Sequence, residues 1–386
     1  MTNLQSTMQL LTSQELNPTS VLARAKISPL LKWPGGKTGE LSLILPELPP
    51  DIDRYFEPFL GGGAVFLSIA DHIPAFVNDT STDLIQLYRC VCEARFDFFM
   101  ALEDITNTWR MLEEFIVQHK NTILEIYGKY TKNELSAKDL ANDISLVIRS
   151  NEEHLKSILG GVFGFGYKNF ISEVSRNITN KIIRTYNIEN EYGEFSSDEI
   201  LLNMESAVKS GYYMYIREIY NHCDTYDISA DHRAAIFFFM REYAYASMFR
   251  FNSKGHFNVP YGGISYNRKD LSGKIELMKQ QSLIDRLDNS CLENTDFLSF
   301  LLKHQPTQDD FIFLDPPYDS EFSSYDQNSF TRDDQARLAS YLVNDCQAKF
   351  MLVIKYTEYI GSLYENQGLN IRYFDKKYMW TIKERR

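Results

Sequence analysis

Cysteine is scarce in this chain of 386 residues: Cys90, Cys92, Cys223, Cys291 and Cys346 are odd in number and scattered. They suit neither a disulfide framework nor a paired CxxC zinc site, so a reducing cytoplasm is the expected setting. The 7 histidines show no HExxH or comparable ligand spacing, and no metal is expected. No apolar run approaches the roughly 18 residues of a membrane span. The first 27 residues carry no basic segment followed by an apolar stretch, which argues against a secretory signal. Positive charge is short as well. With 40 Lys and Arg against 52 Asp and Glu the net charge is −12, which excludes a polycation that coats nucleic acid but leaves room for one basic groove. Aromatic residues, by contrast, are plentiful at 14% of the chain, so stacking surfaces are available even after most rings go to the core.

The length predicts two domains, or one domain with a large insertion. Residues 1–27, rich in Ser, Thr, Asn and Gln, read as a flexible leader. Over 28–95, short apolar runs alternate with Gly and Pro breaks. A strand over 54–59, a glycine turn over 61–63, a helix over 64–72 and a strand over 75–78 make a βαβ unit. Over 96–274 the pattern becomes helical, as at 102–118 and 231–247, and the glycine-rich stretch 160–167 reads as a connection. The α/β rhythm returns over 275–386, with strands at 311–314 and 350–354 around a helix at 332–343. The expected architecture is one α/β domain in two segments, interrupted by a mainly helical insertion.

Four motifs carry chemistry. Asp315-Pro316-Pro317-Tyr318 directly follows the apolar strand Phe311-Ile312-Phe313-Leu314. Two prolines fix two φ angles and remove two donors, so the chain leaves the sheet rigidly with its carbonyls free to accept. A carboxylate, free carbonyls and a tyrosine ring at the carboxyl end of a strand suit a planar ring with an exocyclic amine. Second, Glu57-Pro58-Phe59-Leu60-Gly61-Gly62-Gly63 ends a strand in a glycine turn that lets a ligand approach the backbone. Phe66 stands where a dinucleotide fingerprint needs glycine, which weakens a nicotinamide reading. Asp79, eighteen residues past Gly61, is placed to accept from ribose hydroxyls. Third, Lys32-Trp33-Pro34-Gly35-Gly36-Lys37-Thr38 invites a P-loop reading, but Leu31 stands at the first glycine position and no strong strand precedes it. A glycine turn that sets Lys37 and Trp33 against a ligand with a carboxylate and a sulfonium is the alternative. Fourth, the run from Arg250 to Gly262 interleaves Arg250, Asn252, Lys254 and Asn258 with aromatics, the mixture that phosphate contact, base readout and stacking require.

In this order the pieces LKWPGGK, EPFLGGG, NDTSTDLI, RFNSKGHFNVPYG, DPPY and NSFTRDDQARL resemble the DNA adenine N6-methyltransferases of the Dam type, alpha class. The resemblance covers about residues 28–95 and 275–386 and the stretch 212–263. It implies a Rossmann-like S-adenosylmethionine-dependent methyltransferase sheet whose large helical insertion recognises the target. It implies that S-adenosylmethionine is bound by Trp33, Gly35, Gly36, Lys37, Glu57, Phe59, Gly61, Gly63, Asp79 and Asp315, with S-adenosylhomocysteine as product. Asp315, Pro316, Pro317 and Tyr318 would be catalytic. Lys32, Tyr245, Arg250, Asn252, Lys254 and Asn258 would contact double-stranded DNA, with Arg250 reading a guanine. A cognate restriction endonuclease is an implied partner, and the enzyme is expected as a monomer or weak dimer. Two features depart from the family: the region 96–210 is longer than in compact members, and the chain closes on Lys383-Glu384-Arg385-Arg386 where relatives continue into a final apolar strand. Rival readings are transfer to cytosine N4, an RNA base or a glutamine amide, and a DNA-binding module without transfer. A P-loop NTPase or nicotinamide oxidoreductase is a distant third, disfavoured by spacing. Cytosine C5 chemistry would need a nucleophilic Cys, usually after Pro, and none of the five follows one.

Overall fold

The computed structural model describes residues 21–22, 27–159, 163–319 and 330–373. Five strands form one fully parallel sheet: β1 (Tyr55–Glu57), β2 (Ala75–Asn78), β3 (Ser290–Glu293), β4 (Phe311–Leu314) and β5 (Lys349–Leu352), in the order β3-β2-β1-β4-β5. Residue alternation covers both faces, as an all-parallel sheet requires. Tyr55, Val77, Phe311 and Phe313 enter one core, which continues without a break into the helical insertion through Phe98, Trp109, Tyr212 and Phe239. Phe56, Ile312 and Leu314 point the other way, into a core with Phe297, Phe300, Leu301 and Leu338. The insertion is built from long helices, among them Phe96–Gln118, Tyr167–Tyr192, Ser197–Asn221 and Ala230–Tyr243. Among the described residues no helix is long and apolar enough to cross a membrane.

The strand order reverses at β1, which pairs with β2 on one side and β4 on the other. Such a switch point opens a crevice at the carboxyl ends of the strands. The glycine turn leaves β1 there, Asp79 follows β2, and Asp315 follows β4.

Several expected boundaries shift. The strand expected over 54–59 is the shorter β1, that over 350–354 is β5, and the 102–118 helix begins at Phe96. The 231–247 helix stops at Tyr243, because Ala244 bridges to Tyr261 and the Tyr245 amide donates to the Pro260 carbonyl. The 332–343 helix ends at Ser340 and widens into a π turn over Tyr341–Asp345. The stretches 1–20, 23–26, 160–162, 320–329 and 374–386 lie outside the described residues, and with them most of the expected leader, part of the glycine-rich connection and the closing segment of the chain.

One expectation is overturned: 64–72 is no α-helix, and only a single 3-10 turn forms at Phe66–Ser68. The guanidinium of Arg286, fully buried, donates to the Phe66 carbonyl at 3.4 Å and to the Ile73 carbonyl at 3.0 Å. Its charge also lies 4.5 Å from the centre of the Phe66 ring. A distant arginine thus ties the Phe66 carbonyl, which the Ile69 amide also reaches at 3.1 Å, to the Ile73 carbonyl just beyond the expected helix. Arg286→Met is expected to cost about 3 kcal/mol, since it leaves the buried Ile73 carbonyl without its donor and removes the guanidinium packed on Phe66; a urea midpoint unchanged from wild type would contradict this role.

Candidate active site

The crevice is assembled from three segments far apart in sequence. Gly36-Lys37-Thr38 opens one short turn, Lys37–Gly39, followed by a single helical turn at Leu41–Ile44, and among the described residues no strand leads into it as in a phosphate loop. The Lys37 side chain, 4% exposed, is turned inward. Its ammonium donates to the Gly35 carbonyl at 2.7 Å, to the Tyr318 hydroxyl at 3.3 Å and to Asp315 Oδ2 in a tight ion pair. It also stands 5.5 Å from the centre of the Tyr318 ring. Lys37 therefore fixes both the carboxylate and the ring of the Asp-Pro-Pro-Tyr corner. Gln335, on the Arg332–Ser340 helix, donates to the Pro317 carbonyl at 2.8 Å and braces the corner from behind. Pro316 is buried, and among the described residues no hydrogen bond reaches its carbonyl.

Across the switch point, Gly61 and Gly63 take φ values of +49° and +67°, which residues with a Cβ rarely adopt. The turn is pinned by Asp79, whose two carboxylate oxygens accept from the Gly61 and Ser81 amides, each at 2.9 Å. Trp33 lies directly on it: a Cβ at Gly61 would fall 2.7 Å from Trp33 Cδ1. Gly35 and Gly36 are exposed beside it, and Phe59 meets Phe297 and Phe330 in a cluster with ring centres 5.5 Å apart.

Beneath the corner Glu57 is buried and bonded by the Tyr55 hydroxyl at 2.6 Å. Burial pushes its carboxyl up to about 8; the Asp315 carboxylate adds to that rise, while the Tyr55 bond opposes it. The folded protein thus keeps a proton that the unfolded chain gives up near the ordinary 4.5. This contribution to stability is complete below that value and lost as pH rises to about 8. Glu57→Gln, which cannot ionise, is expected to flatten the fall in melting temperature between about pH 5 and pH 8. Parallel curves for variant and wild type would rule out a proton held there.

The residues expected to contact DNA fall into two groups. Arg250 is exposed and its Nε donates to Asn258 Oδ1 at 3.0 Å, across a hairpin that bridges Phe251 to Phe257. Lys254 is exposed at the tip. Lys32 and Tyr245 are exposed on neighbouring segments. Asn252, in contrast, spends its side-chain oxygen on the Lys254 and His256 amides at 2.9 and 3.0 Å and so shapes the hairpin turn. The hairpin's Phe249, Phe251 and Phe257 pack on one another and face inward.

Sequence reasoning missed Tyr55, Gln335, Phe297 and Phe330. Tyr55 was within reach, standing two residues before Glu57 and therefore on the same strand face. It also missed a group of the metal-ligating type at the sheet edge, Cys291, Glu293 and His304, whose members come from β3 and the Phe297–His304 helix. There Glu293 Oε1 already accepts from Lys303 at 2.6 Å and lies 2.8 Å from His304 Nε2. Burial pushes the Glu293 carboxyl up, but these bonds outweigh it and hold it low, so the group is a closed ion-pair network.

The chain matches the family described as D12 class N6 adenine-specific DNA methyltransferase over residues 33–152 and 160–380. It is 26% identical to the type II methyltransferase M.MjaIII of Methanocaldococcus jannaschii, over 93% of this chain and 94% of that one. Identity is 21% to the type II methyltransferase M.CviBI of Paramecium bursaria Chlorella virus NC1A, over 92% and 93%. A shorter match, 31% identical over 42% of this chain and 54% of the other, joins it to the Retron Ec67 DNA adenine methylase of Escherichia coli.

Proposed function

Because this chain belongs to the D12 class N6 adenine-specific DNA methyltransferases, we propose that the corner of Lys37, Asp315 and Tyr318 is where the N6 amine of a target adenine is methylated. The single observation that carries this assignment is the Lys37 to Asp315 pair, which spans 278 positions and unites the cofactor-type and catalytic-type motifs at the switch point.

The residues around the crevice fit S-adenosylmethionine by the chemistry they offer. Exposed glycines at 35 and 36 and a buried ammonium suit an amino-acid end, Trp33 suits a sulfonium, and the Phe59 cluster suits an adenine ring. Asp79 is proposed to accept from ribose hydroxyls with the lone pairs its two amide bonds leave; Glu57, Gly61 and Gly63 complete the wall. Bound there, the cofactor supplies an electrophilic methyl group.

Everything else falls to the chain. The target base leaves the duplex at an unstacking cost of a few kcal/mol and stacks on Tyr318. Asp315 and the Pro316 carbonyl accept the two N–H bonds of the amine, which aligns the nitrogen lone pair and raises its electron density. The proton that the amine gives up passes to Asp315. Lys37 and Gln335 hold these acceptors still, so most of the rate comes from positioning and electrostatics. Arg250, Lys254, Lys32 and Tyr245 are proposed to grip duplex DNA, and a cognate restriction endonuclease is the proposed partner.

The test is transfer from labelled S-adenosylmethionine to unmethylated duplex DNA, with product nucleosides separated by mass. Label in N6-methyladenine is the expected result. Label in N4-methylcytosine, or an RNA or protein amide labelled in place of DNA, would overturn the reading. Cofactor binding without transfer to any of them would point to a binding module.

A further inference from the structure

A continuous stack of side chains joins the glycine turn to the recognition hairpin. Trp33 lies on Gly61, and the Arg241 guanidinium carbon stands 4.8 Å from the centre of the Trp33 ring. The same carbon stands 4.7 Å from the centre of the Phe249 ring, and Arg241 Nη2 donates to the Lys32 carbonyl at 2.6 Å. Arg241 is only 1% exposed. Phe249 immediately precedes Arg250. Between Arg241 and Phe249 the chain passes through Ala246 and Ser247 at φ +53° and +52°, flanked by the exposed Tyr245 and Met248. Residues with a Cβ avoid this conformation, so two in a row mark a turn whose form its surroundings hold in place.

We propose that Arg241 is a positioning residue that couples occupancy of the methyl-donor site to the DNA-reading hairpin. A buried guanidinium between two rings and a carbonyl cannot lose one contact cheaply, so a shift of the Trp33 turn is passed on to Phe249. The strained turn at Ala246 and Ser247 is the element with two arrangements, one held by the stack and one relaxed. The donor biases it from the Trp33 side and DNA from the hairpin side. Coupling between two sites is reciprocal, so each ligand then tightens the other by the same factor. This inference rests on the proposed placement of the donor site at Trp33 and Gly61.

The experiment measures the DNA dissociation constant with and without saturating S-adenosylhomocysteine, and the S-adenosylhomocysteine constant with and without DNA. Wild type, Arg241→Met, Arg241→Lys and Phe249→Leu are compared. In wild type each ligand is expected to tighten the other about 10-fold, within the usual span of such couplings. Arg241→Met and Phe249→Leu are expected to keep each binary affinity within about 3-fold while the coupling factor falls to near 1. Arg241→Lys, which keeps the charge but not the planar group, is expected to recover part of it. A wild-type factor of 1 overturns the inference. So does a factor that survives in both Arg241→Met and Phe249→Leu, or a loss of both binary affinities with coupling intact. Trp33→Ala tests the underlying placement separately: unchanged S-adenosylhomocysteine affinity in that variant would remove the donor site from this turn, whatever Arg241 does.

Discussion

Asp315→Asn is expected to lower kcat for methyl transfer by about 10³-fold while leaving a folded protein that still binds S-adenosylhomocysteine. Asparagine keeps the size of the side chain and still offers Lys37 one acceptor oxygen, so the buried ammonium is not stranded. What it loses is the negative charge beside the amine and the acceptor that takes its proton; half of its polar end becomes a donor facing another donor. Asp315→Ala makes a harsher comparison, because the Lys37 side chain is only 4% exposed and would lose its counter-ion. Breaking such a pair from one side costs about 3–5 kcal/mol, so alanine is expected to lower the melting temperature as well as the rate. Single-turnover transfer and thermal melts on both variants separate the two effects. Turnover near wild type in the asparagine variant would remove Asp315 from the chemistry.

The second large effect is expected on sequence discrimination. Arg250→Ala should cost about 1–3 kcal/mol at one base position, a loss of roughly 10- to 100-fold against the wrong base, with little change in overall affinity. Asn258 holds Arg250 Nε, which leaves the two terminal amino groups of the exposed side chain to meet a guanine edge in a bidentate contact. Lys254→Ala is the contrasting control. Its exposed ammonium at the hairpin tip contacts phosphate in this proposal, so its removal should weaken binding evenly across sequences and reduce the salt dependence by about one ion. Binding to a panel of single-base variants of the methylated site, at several salt concentrations, distinguishes the two patterns. An even loss for Arg250→Ala would make it another phosphate contact.

The parts of the site that were legible in the sequence are those whose chemistry is local. An apolar run ending in Asp315-Pro316-Pro317 allows little except a strand and a rigid exit, and β4 begins and ends where the sequence placed it. The glycine turn was legible because Gly61 and Gly63 take a backbone form that favours their residue type. The misread helix over 64–72 shows the opposite case. Ser68, Asp71 and His72 stand at helical spacing in an otherwise apolar run, yet the segment is held from outside by Arg286, more than 200 residues away. The edge strand Ser290–Glu293 went unseen because all four residues are half-buried, so neither alternation nor a solid apolar run marks it. Asn252, expected to contact DNA, also shapes the turn with its side-chain oxygen, a use that its place in Asn-Ser-Lys-Gly already suited. Arg241 could not have been recognised, since nothing beside it in the chain indicates that Trp33 and Phe249 will enclose it.

The central strand pairs with one neighbour from its own end of the chain and with another that is made much later, and this sets a timetable for synthesis. After β1 leaves the ribosome, roughly 250 more residues must follow before β4 can lie beside it, which at about 10 residues per second is close to half a minute. Throughout that interval the nascent chain owns the glycine wall of its site, with Lys37 lacking its carboxylate partner and one flank of β1 bare. Translation stalled within the insertion would therefore leave a polypeptide unable to methylate DNA, and the first methyl group can be transferred only once the last fifth of the chain has begun to fold.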